Sequence, residues 1–289
     1  MSKLNKTQIK NKYLSKDEQN SIEELKSAIN ETRVTITCMG LYNHGKSSIL
    51  NTLIDDFEYK TFKTADVRET SKNKRVKYKD IIFVDTPGLN AKDYDDKRVM
   101  DAVKESDINL FVHNVSTGEF TKKEIEFLLN IKKHWRNPKE FIERTIFILS
   151  RVDGVDDNDI ILTQKKMQEQ IKEIFSYNSM FVAVSAKRYT KGKLENKKLL
   201  VEKSNIDSLK KGLNILKNSI KKSIKKTKKE RLQNLYNNYI VRLNAKVQIQ
   251  ALEISQMKRE KKKIDTAFNL DINNIKTTLS NMYSRLEEV

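Results

Sequence analysis

The sequence predicts an α/β fold, with a mostly parallel sheet covered by helices on both faces and a flanking α-helical segment. Between residues 33 and 190, apolar β-branched runs alternate with amphipathic stretches of helical period, which is typical of parallel sheets. A glycine-containing segment with the spacing of a phosphate-binding loop lies between the first predicted strand and a predicted helix. Beyond Gly212 the chain has neither glycine nor proline and keeps a helical apolar period, which predicts a bundle of two or three long helices or a coiled coil. We also predict a strand at 108–114, a unit that ends at Pro138 and a lysine-rich connection at 188–203.

Charge is distributed unevenly along the 289 residues. The formal net charge is +18, of which residues 191–289 carry +14. A basic segment of this kind attracts nucleic acid or an anionic membrane, unless it only solvates long helices. We therefore divide the chain into an N-terminal tail and helix (1–32), a phosphate-binding domain (33–190) and a basic helical stalk or coiled-coil region (191–289).

Cysteine content and hydropathy indicate the compartment. Cys38 is the only cysteine, so a disulfide framework is excluded and a reducing compartment is favoured. The first residues lack the apolar segment of a signal peptide, and no stretch approaches the roughly 18 apolar residues of a spanning helix. We expect a cytoplasmic protein, which associates with a membrane only peripherally if its basic region binds lipid.

The phosphate-binding loop is the segment 40–47, with the pattern G-x-x-x-x-G-K-S. Gly40 and Gly45 allow backbone N–H groups to point at phosphate oxygens, where the N-terminus of the next helix adds positive potential. Lys46 brings a cation to the β- and γ-phosphates, and the Ser47 hydroxyl completes a magnesium coordination shell. The predicted strand 33–39 and the predicted helix 48–54 supply the flanks that this chemistry requires.

A second motif, Asp-Thr-Pro-Gly, closes the predicted strand 81–84. Its Asp85 can hold a water on magnesium, and Gly88 can offer its N–H to a terminal phosphate. The preceding loop contains the candidates for a further magnesium ligand, of which we choose Thr70 first and Thr64 second. Two segments, 57–72 and 85–98, are expected to be switch loops that report the nucleotide state.

Two more polar motifs follow predicted strands. Ser150-Arg151-Val152-Asp153 comes after the strand 145–149, and Ser185-Ala186-Lys187 comes after the strand 180–184. These four motifs in this order resemble those of the translation-factor-class P-loop GTPases, over about residues 33–190. Asn43 inside the loop and Asn51 after it resemble the Era-like and bacterial dynamin-like members.

The resemblance implies a P-loop NTPase G domain that binds GTP or GDP with Mg²⁺ and hydrolyses GTP to GDP and phosphate. It implies catalytic roles for Lys46, Thr70 and Gly88, and magnesium ligation by Ser47, Thr70 and Asp85. The residues that would contact the nucleotide come from all four motifs. They are Gly40, Asn43, His44, Gly45, Lys46, Ser47, Ser48, Asp85, Gly88, Ser150, Arg151, Asp153, Ser185, Ala186 and Lys187.

The resemblance assigns guanine recognition to Asp153, whose carboxylate would accept hydrogen bonds from N1 and N2 of the base. The N–H of Ala186 would meet the guanine O6. This family usually has Asn or Thr, then Lys, where this chain has Ser150 and Arg151. Arginine can still lay its planar guanidinium along the base, so stacking is retained.

Leu89 stands where many signalling GTPases have the glutamine that orients water, and leucine has no group for that task. In families with this substitution, a potassium ion or a dimer partner often supplies the missing group. Asn43 occupies the position of the potassium-ligating asparagine, although it can also be a loop residue that tolerates an unusual φ.

We therefore expect a GTP-hydrolysing switch or dynamin-like mechanoenzyme that signals its nucleotide state to a helical stalk. A homodimer through the G domain or the helices is the expected assembly. The alternative is a GTP-binding scaffold with little hydrolysis, whose basic helices bind a membrane or, as the less favoured partner, RNA such as that of the ribosome.

Six lysines cluster beside Ile220 and Ile224 on one predicted helix. They are Lys221, Lys222, Lys225, Lys226, Lys228 and Lys229. Cations so close together on a helix share a face, which predicts weak, salt-sensitive binding to anionic lipid. The histidines, His44, His113 and His134, show no metal-ligand spacing with a cysteine or carboxylate, and Glu124 is predicted only as the capping-box partner of Thr121.

Overall fold

The computed structural model describes residues 13–63, 73–89, 93–134, 137–221 and 224–287. Its internal contacts define two compact units. The larger unit is residues 25–229, and the smaller unit combines residues 1–24 with residues 230–289. Each unit is described by itself below.

A six-stranded sheet forms the centre of the larger unit. Its strands are β1 (Val34–Met39), β2 (Lys74–Tyr78), β3 (Ile81–Asp85), β4 (Ile108–Asn114), β5 (Thr145–Ser150) and β6 (Met180–Ala183). Their order is β2-β3-β1-β4-β5-β6, and all neighbours are parallel except the edge strand β2, which is antiparallel to β3. Since β1 lies between β3 and β4, the strand order reverses at its carboxyl end, where ligands bind in such sheets.

Helices connect the strands and continue after the last one. In chain order they are α1 (Lys16–Asn30), α2 (Lys46–Leu53), α3 (Asp93–Glu105), α4 (Lys122–His134), α5 (Pro138–Glu143), α6 (Asp157–Phe175), α7 (Ala186–Leu194), α8 (Lys198–Lys203), α9 (Ile206–Lys221) and α10 (Ile224–Glu287). Short 3₁₀ turns occupy Val115–Thr117 and Val152–Gly154.

Both faces of the sheet are buried. Successive residues of β4 point to opposite sides, so that Leu110 packs into one apolar cluster and Phe111 into the other. The first cluster includes side chains of α2 and α9, such as Leu50 and Leu209. The second includes side chains of α4 and α6. The predicted α/β class, with a mostly parallel sheet and helices on both faces, is confirmed.

Three local expectations were wrong. The lysine-rich connection expected at 188–203 forms α7 and α8, which pack so closely that a Cβ on Gly192 would lie 2.8 Å from Val201. The expected switch loop 85–98 is interrupted by α3, which begins at residue 93. Pro138, which we expected to end a unit, instead starts α5, because proline has no N–H to lose at a first helical position.

The region after residue 204 does not form the expected bundle of two or three long helices. α9 packs on the sheet through Leu209, Leu213 and Ile220, whereas α10 continues as one helix of 64 residues, since no glycine or proline interrupts it. Within the smaller unit, Arg242 of α10 forms an ion pair with Glu18. Among the described residues, no helix is both long enough and apolar enough to cross a membrane.

Candidate functional site

The phosphate-binding loop leaves β1 at the strand-order reversal and enters α2 at Gly45. Gly40 has φ +144°, and a Cβ there would lie 2.1 Å from the Val112 carbonyl oxygen, so only glycine fits. Lys46 Nζ donates to the carbonyls of Gly40 and Leu41, at 3.1 and 2.9 Å. Burial lowers the pKa of this ammonium, and the Asp85 carboxylate partly opposes the shift.

Ser47 and Asp85 meet at the proposed magnesium position. Ser47 Oγ donates to Asp85 Oδ2 over 2.7 Å. Burial raises the pKa of Asp85, against the lowering effect of Ser47 and Lys46. Its other oxygen, Oδ1, is buried and has no hydrogen-bond partner in the described part of the chain. An orphaned carboxylate oxygen beside a hydroxyl is the oxygen donor set that Mg²⁺ prefers, so these residues fit the ion.

Gly88 and Leu89 lie directly under the loop. A Cβ on Gly88 would approach Tyr42 Cα to 2.6 Å, which requires glycine at this position. Leu89 is only 2% exposed, and its N–H donates to the Gly40 carbonyl at 3.1 Å. The leucine side chain therefore belongs to the apolar core beneath the loop.

The start of the long loop after α2 is anchored by Asn51. The Asn51 side chain is fully buried and exchanges two hydrogen bonds with the backbone of Phe62, at 2.7 and 3.0 Å. Sequence reasoning noticed Asn51 only as a family feature and missed this contact. Both candidate threonine ligands, Thr70 and Thr64, lie outside the described residues, so the choice between them stays a prediction.

The motifs after β5 and β6 meet the same loop. The Ser150 hydroxyl lies 2.7 Å from the His44 carbonyl and 3.0 Å from that of His113. Arg151, at φ 61°, donates to the Asn43 backbone oxygen and to its Oδ1, at 2.7 and 3.0 Å. Thus β4, β5 and the phosphate loop are joined by direct polar contacts at their carboxyl-end edge.

Asp153 is held by the motif that follows β6. Ser185 Oγ donates to Asp153 Oδ1 over 2.7 Å and also accepts from the Arg188 N–H at the start of α7. The carboxylate is thereby oriented beside Ala186 and Lys187, which line the same cleft.

The cleft above the loop has a volume of about 420 Å³, within the range of small-molecule sites. Seven of its lining residues were predicted from the sequence. These are Gly45, Ser48, Ser150, Arg151, Asp153, Ala186 and Lys187. Tyr59 and Ser116 also line it and were not predicted, because neither belongs to a motif.

The expectation that the histidines form no cluster was wrong for two of them. His44, His113 and Glu124 are all buried, and their ligating atoms lie within 4.8 Å of one another. They come from the phosphate loop, β4 and α4, so no local spacing revealed them. The side chain of His134 lies outside what the structure describes.

Glu124 is the acidic member of this cluster. Its Oε2 accepts from the Thr121 N–H and hydroxyl, each at 2.9 Å, as the predicted capping box requires. Burial by itself would raise the pKa of Glu124, but its hydrogen bonds, above all the one with the His113 imidazole, outweigh burial and lower that pKa to about 2. Glu124 is therefore a carboxylate at neutral pH.

Comparison with known proteins agrees with this geometry. Residues 35–151 match a family model described as 50S ribosome-binding GTPase. An uncharacterised protein of Acinetobacter baylyi is 37% identical over 180 residues, which are 61% of this chain and 40% of that protein. The chain thus spans about 40% of the length of this curated relative.

Two solved structures of an oligomerised bacterial dynamin pair are similar over nearly the whole chain. One has a TM-score of 0.54 at 15% identity and covers 98% of this chain and 51% of the other. The second has a TM-score of 0.50 at 17% identity and covers 96% and 62%, respectively. At these identities the likeness shows the fold. The fold is therefore that of a P-loop GTPase domain, and residues 35–151 are similar to the family described as 50S ribosome-binding GTPase.

Proposed function

We propose that this protein hydrolyses GTP as a molecular switch or dynamin-like mechanoenzyme and passes its nucleotide state to α10. The observation that carries the proposal is that Ser47 is hydrogen-bonded to Asp85 and that Lys46 lies in the field of the same carboxylate. Both residues of α2 stand between Gly45 and Ser48, which line the cleft. A bound Mg²⁺ would neutralise phosphate charge there, with Ser47 and Asp85 as its holders. Lys46 would turn from the loop carbonyls to the β- and γ-phosphates.

The other end of the cleft supports guanine as the base. Asp153 Oδ1 already accepts one hydrogen bond from Ser185, which leaves lone pairs of the carboxylate for N1 and N2 of guanine. Adenine offers an acceptor at N1 and would leave that carboxylate poorly matched. The Arg151 guanidinium donates to Asn43 Oδ1, and Arg151 lines the same cleft as Asp153, where the guanidinium can cover the base.

In this proposal, a dimer partner or a bound potassium ion supplies the group that orients the attacking water. Leu89 is buried under the loop, so it cannot contribute. Asn43 Oδ1 accepts from the Arg151 guanidinium, so a potassium ion at Asn43 would have to displace a resident cation. This contact favours a dimer partner over potassium as the source of the missing group.

Turnover measured at several protein concentrations tests the proposal. The isolated monomer should hydrolyse GTP slowly, well below about one per second. The rate per molecule should rise with protein concentration if a dimer partner completes the site, and it should rise in potassium over sodium if Asn43 binds the ion. GTP should be used in strong preference to ATP.

The controls separate these routes. Catalytic rates in lithium or sodium at equal ionic strength distinguish a potassium site from general screening. A fast rate that depends on neither concentration nor potassium would contradict both routes, and equal use of ATP and GTP would contradict the role of Asp153.

A second candidate function is a GTP-binding scaffold with little hydrolysis that acts through its basic helix. The buried Leu89 favours it, because the chain supplies no water-orienting side chain at that position. The dynamin pair structures concern the sensing and tethering of membranes, while the matching family is described as ribosome-binding. We favour an anionic membrane as the partner, since Tyr236 and Tyr239 lie beyond the lysines and do not offer base-stacking within the cluster.

Only four of the six clustered lysines are exposed in the described part of the chain. Lys221, Lys225, Lys226 and Lys229 are exposed, but Lys228 is buried against Asp107, and Lys222 lies outside the described residues. Changing the four exposed lysines to glutamine should abolish salt-sensitive co-sedimentation with anionic liposomes, since each contributes about 1 kcal/mol near a charged bilayer. Neutral liposomes and single-stranded RNA are the comparison ligands, and parent protein that binds no anionic liposomes at low salt would contradict the proposal.

A further inference from the structure

His113 has acceptors at both ring nitrogens. Its Nδ1 lies 2.9 Å from Glu124 Oε1, and its Nε2 lies 2.7 Å from the Gly118 carbonyl oxygen. The Thr117 hydroxyl is 3.3 Å from Nε2, but it donates its own proton to the Asn114 carbonyl, so it too can only accept. Glu124 is a carboxylate and can only accept. A neutral imidazole, with its single N–H, would therefore leave one of these buried contacts as acceptor against acceptor.

The doubly protonated ring satisfies every one of these contacts. Its positive charge then lies against the Glu124 carboxylate, and both side chains are fully buried. A buried charge of either sign is costly unless it is paired. An unpaired carboxylate close to the phosphate loop would also repel the negatively charged nucleotide. Pairing Glu124 with a protonated His113 removes this repulsion.

His44 connects this pair to the phosphate loop. Its Nδ1 accepts from the Asn114 N–H over 3.2 Å and lies 3.5 Å from Glu124 Oε1. Its ring meets that of His113 edge to face, with centroids 5.3 Å apart. With the Ser150 hydroxyl on its carbonyl, His44 is fixed from both its backbone and its side chain, between Asn43 and Gly45, which both have positive φ.

A metal ion at this cluster is the competing explanation, and the geometry disfavours it. A tetrahedral zinc ion about 2.0–2.1 Å from each ligand would hold neighbouring ligand atoms about 3.3 Å apart. The His113 Nδ1 to Glu124 Oε1 distance of 2.9 Å is instead that of a direct hydrogen bond. The in-plane lone pair of His44 Nδ1 is also taken by the Asn114 N–H.

We propose that His113 is a buried imidazolium paired with the Glu124 carboxylate, and that this pair positions the phosphate loop through His44. These are positioning residues, since they act on the nucleotide through the loop. The proposal deepens the proposed nucleotide-binding function and rests on it for its effect on affinity. The charge state of His113 itself does not depend on any nucleotide.

The charge state is tested first, by ¹⁵N NMR of the imidazole nitrogens in the nucleotide-free parent protein at neutral pH. His113 should show two protonated nitrogens, assigned by loss of its signals in His113→Asn. In Glu124→Gln the side-chain amide can donate to Nδ1, so the ring should become singly protonated. A singly protonated His113 in the parent protein would overturn the proposal, whether or not the protein binds GTP.

The link to the loop is tested by affinity for GDP and GTP. His44→Ala removes the acceptor for the Asn114 N–H, and we expect nucleotide affinity to fall about tenfold, as for a buried donor left unsatisfied. In a turnover assay KM should change more than kcat. His44→Asn places an amide oxygen near the position of Nδ1 and should restore most of the lost affinity.

Glu126→Gln is the matched control for Glu124→Gln, because Glu126 is an exposed glutamate on the same helix and should bind nucleotide like the parent. If His44→Asn binds as weakly as His44→Ala while thermal unfolding of the two is alike, positioning through Asn114 is overturned. Metal analysis of the purified parent should find no bound transition metal. If the parent instead carried one metal ion per chain and Glu124→Gln had lost that ion, the cluster would be a metal site and the proposal would be overturned.

Discussion

Lys46→Ala is expected to weaken GTP binding about a hundredfold or more, a loss of about 2.7 kcal/mol, or to abolish turnover. The ammonium group is held by the Gly40 and Leu41 carbonyls and lies in the field of Asp85. Removing it takes away the cation that offsets phosphate charge. Equilibrium titration with a fluorescent GTP analogue and a phosphate-release assay measure the two effects.

The folded state should tolerate this change. Burial of the Lys46 ammonium is unfavourable, as the lowered pKa of that side chain indicates, and alanine removes this desolvation cost. The Gly40 and Leu41 carbonyls lose their hydrogen bonds to Lys46 and can bind water instead. Thermal unfolding without nucleotide should therefore differ little between the proteins. Lys165→Ala, an exposed lysine on α6, is the control for charge. A Lys46→Ala variant that binds and hydrolyses GTP like the parent would show that the phosphate-loop assignment is wrong.

Lys228→Met is expected to lower the free energy of unfolding by about 3 kcal/mol, because it breaks a buried ion pair from one side. The Lys228 ammonium donates to the carbonyls of Glu31 and Arg33, at 2.9 and 3.3 Å, and lies 3.7 Å from Asp107 Oδ2. Both side chains are almost completely buried. Methionine matches the length of the stem but leaves the carboxylate without this cation. Denaturant unfolding of the nucleotide-free protein measures the change.

Lys229→Met provides the matched control. Lys229 is the next residue along the chain and is exposed, so its loss should change stability by less than about 0.5 kcal/mol. The double variant Lys228→Met, Asp107→Asn removes both charges together, so its cost should be smaller than the sum of the two single costs. Equal unfolding midpoints for Lys228→Met and the parent would contradict a structural role for this lysine.

Lys228 also shows why a charge cluster is hard to interpret from sequence. Six lysines in a short stretch predicted one cationic face on one helix. The structure instead divides the described members between two helices, with Lys221 at the end of α9 and the others on α10. The helical period places Lys228 on the side of the helix that also carries the buried Ile224. Whether such a lysine is buried depends on a carboxylate more than a hundred residues earlier, Asp107, which no periodicity reveals.

Much of the geometry of the candidate nucleotide site was predictable because its parts are local. The loop, the helix start at Lys46 and the Asp85 strand end are short segments whose residue types follow from phosphate and magnesium chemistry. The strand predicted at 108–114 is observed as Ile108–Asn114. A continuous apolar run in an α/β chain is typical of an interior strand, because such a strand is buried on both faces of the sheet. The lysine-rich residues of α7 and α8 looked like a connection because their burial depends on Tyr189 and on the close packing at Gly192.

Local sequence thus determined the α/β class, the phosphate loop and most of the cleft, because hydrophobic period and motif spacing act over a few residues. The tertiary structure alone placed Leu89 in the core, Arg151 on Asn43, and His44 beside His113 and Glu124. Each of these contacts joins separate strands, helices or loops at one edge of the sheet. Their energy comes from burial and from pairing of polar groups after the sheet has assembled, and that pairing leaves no periodic signal along the chain.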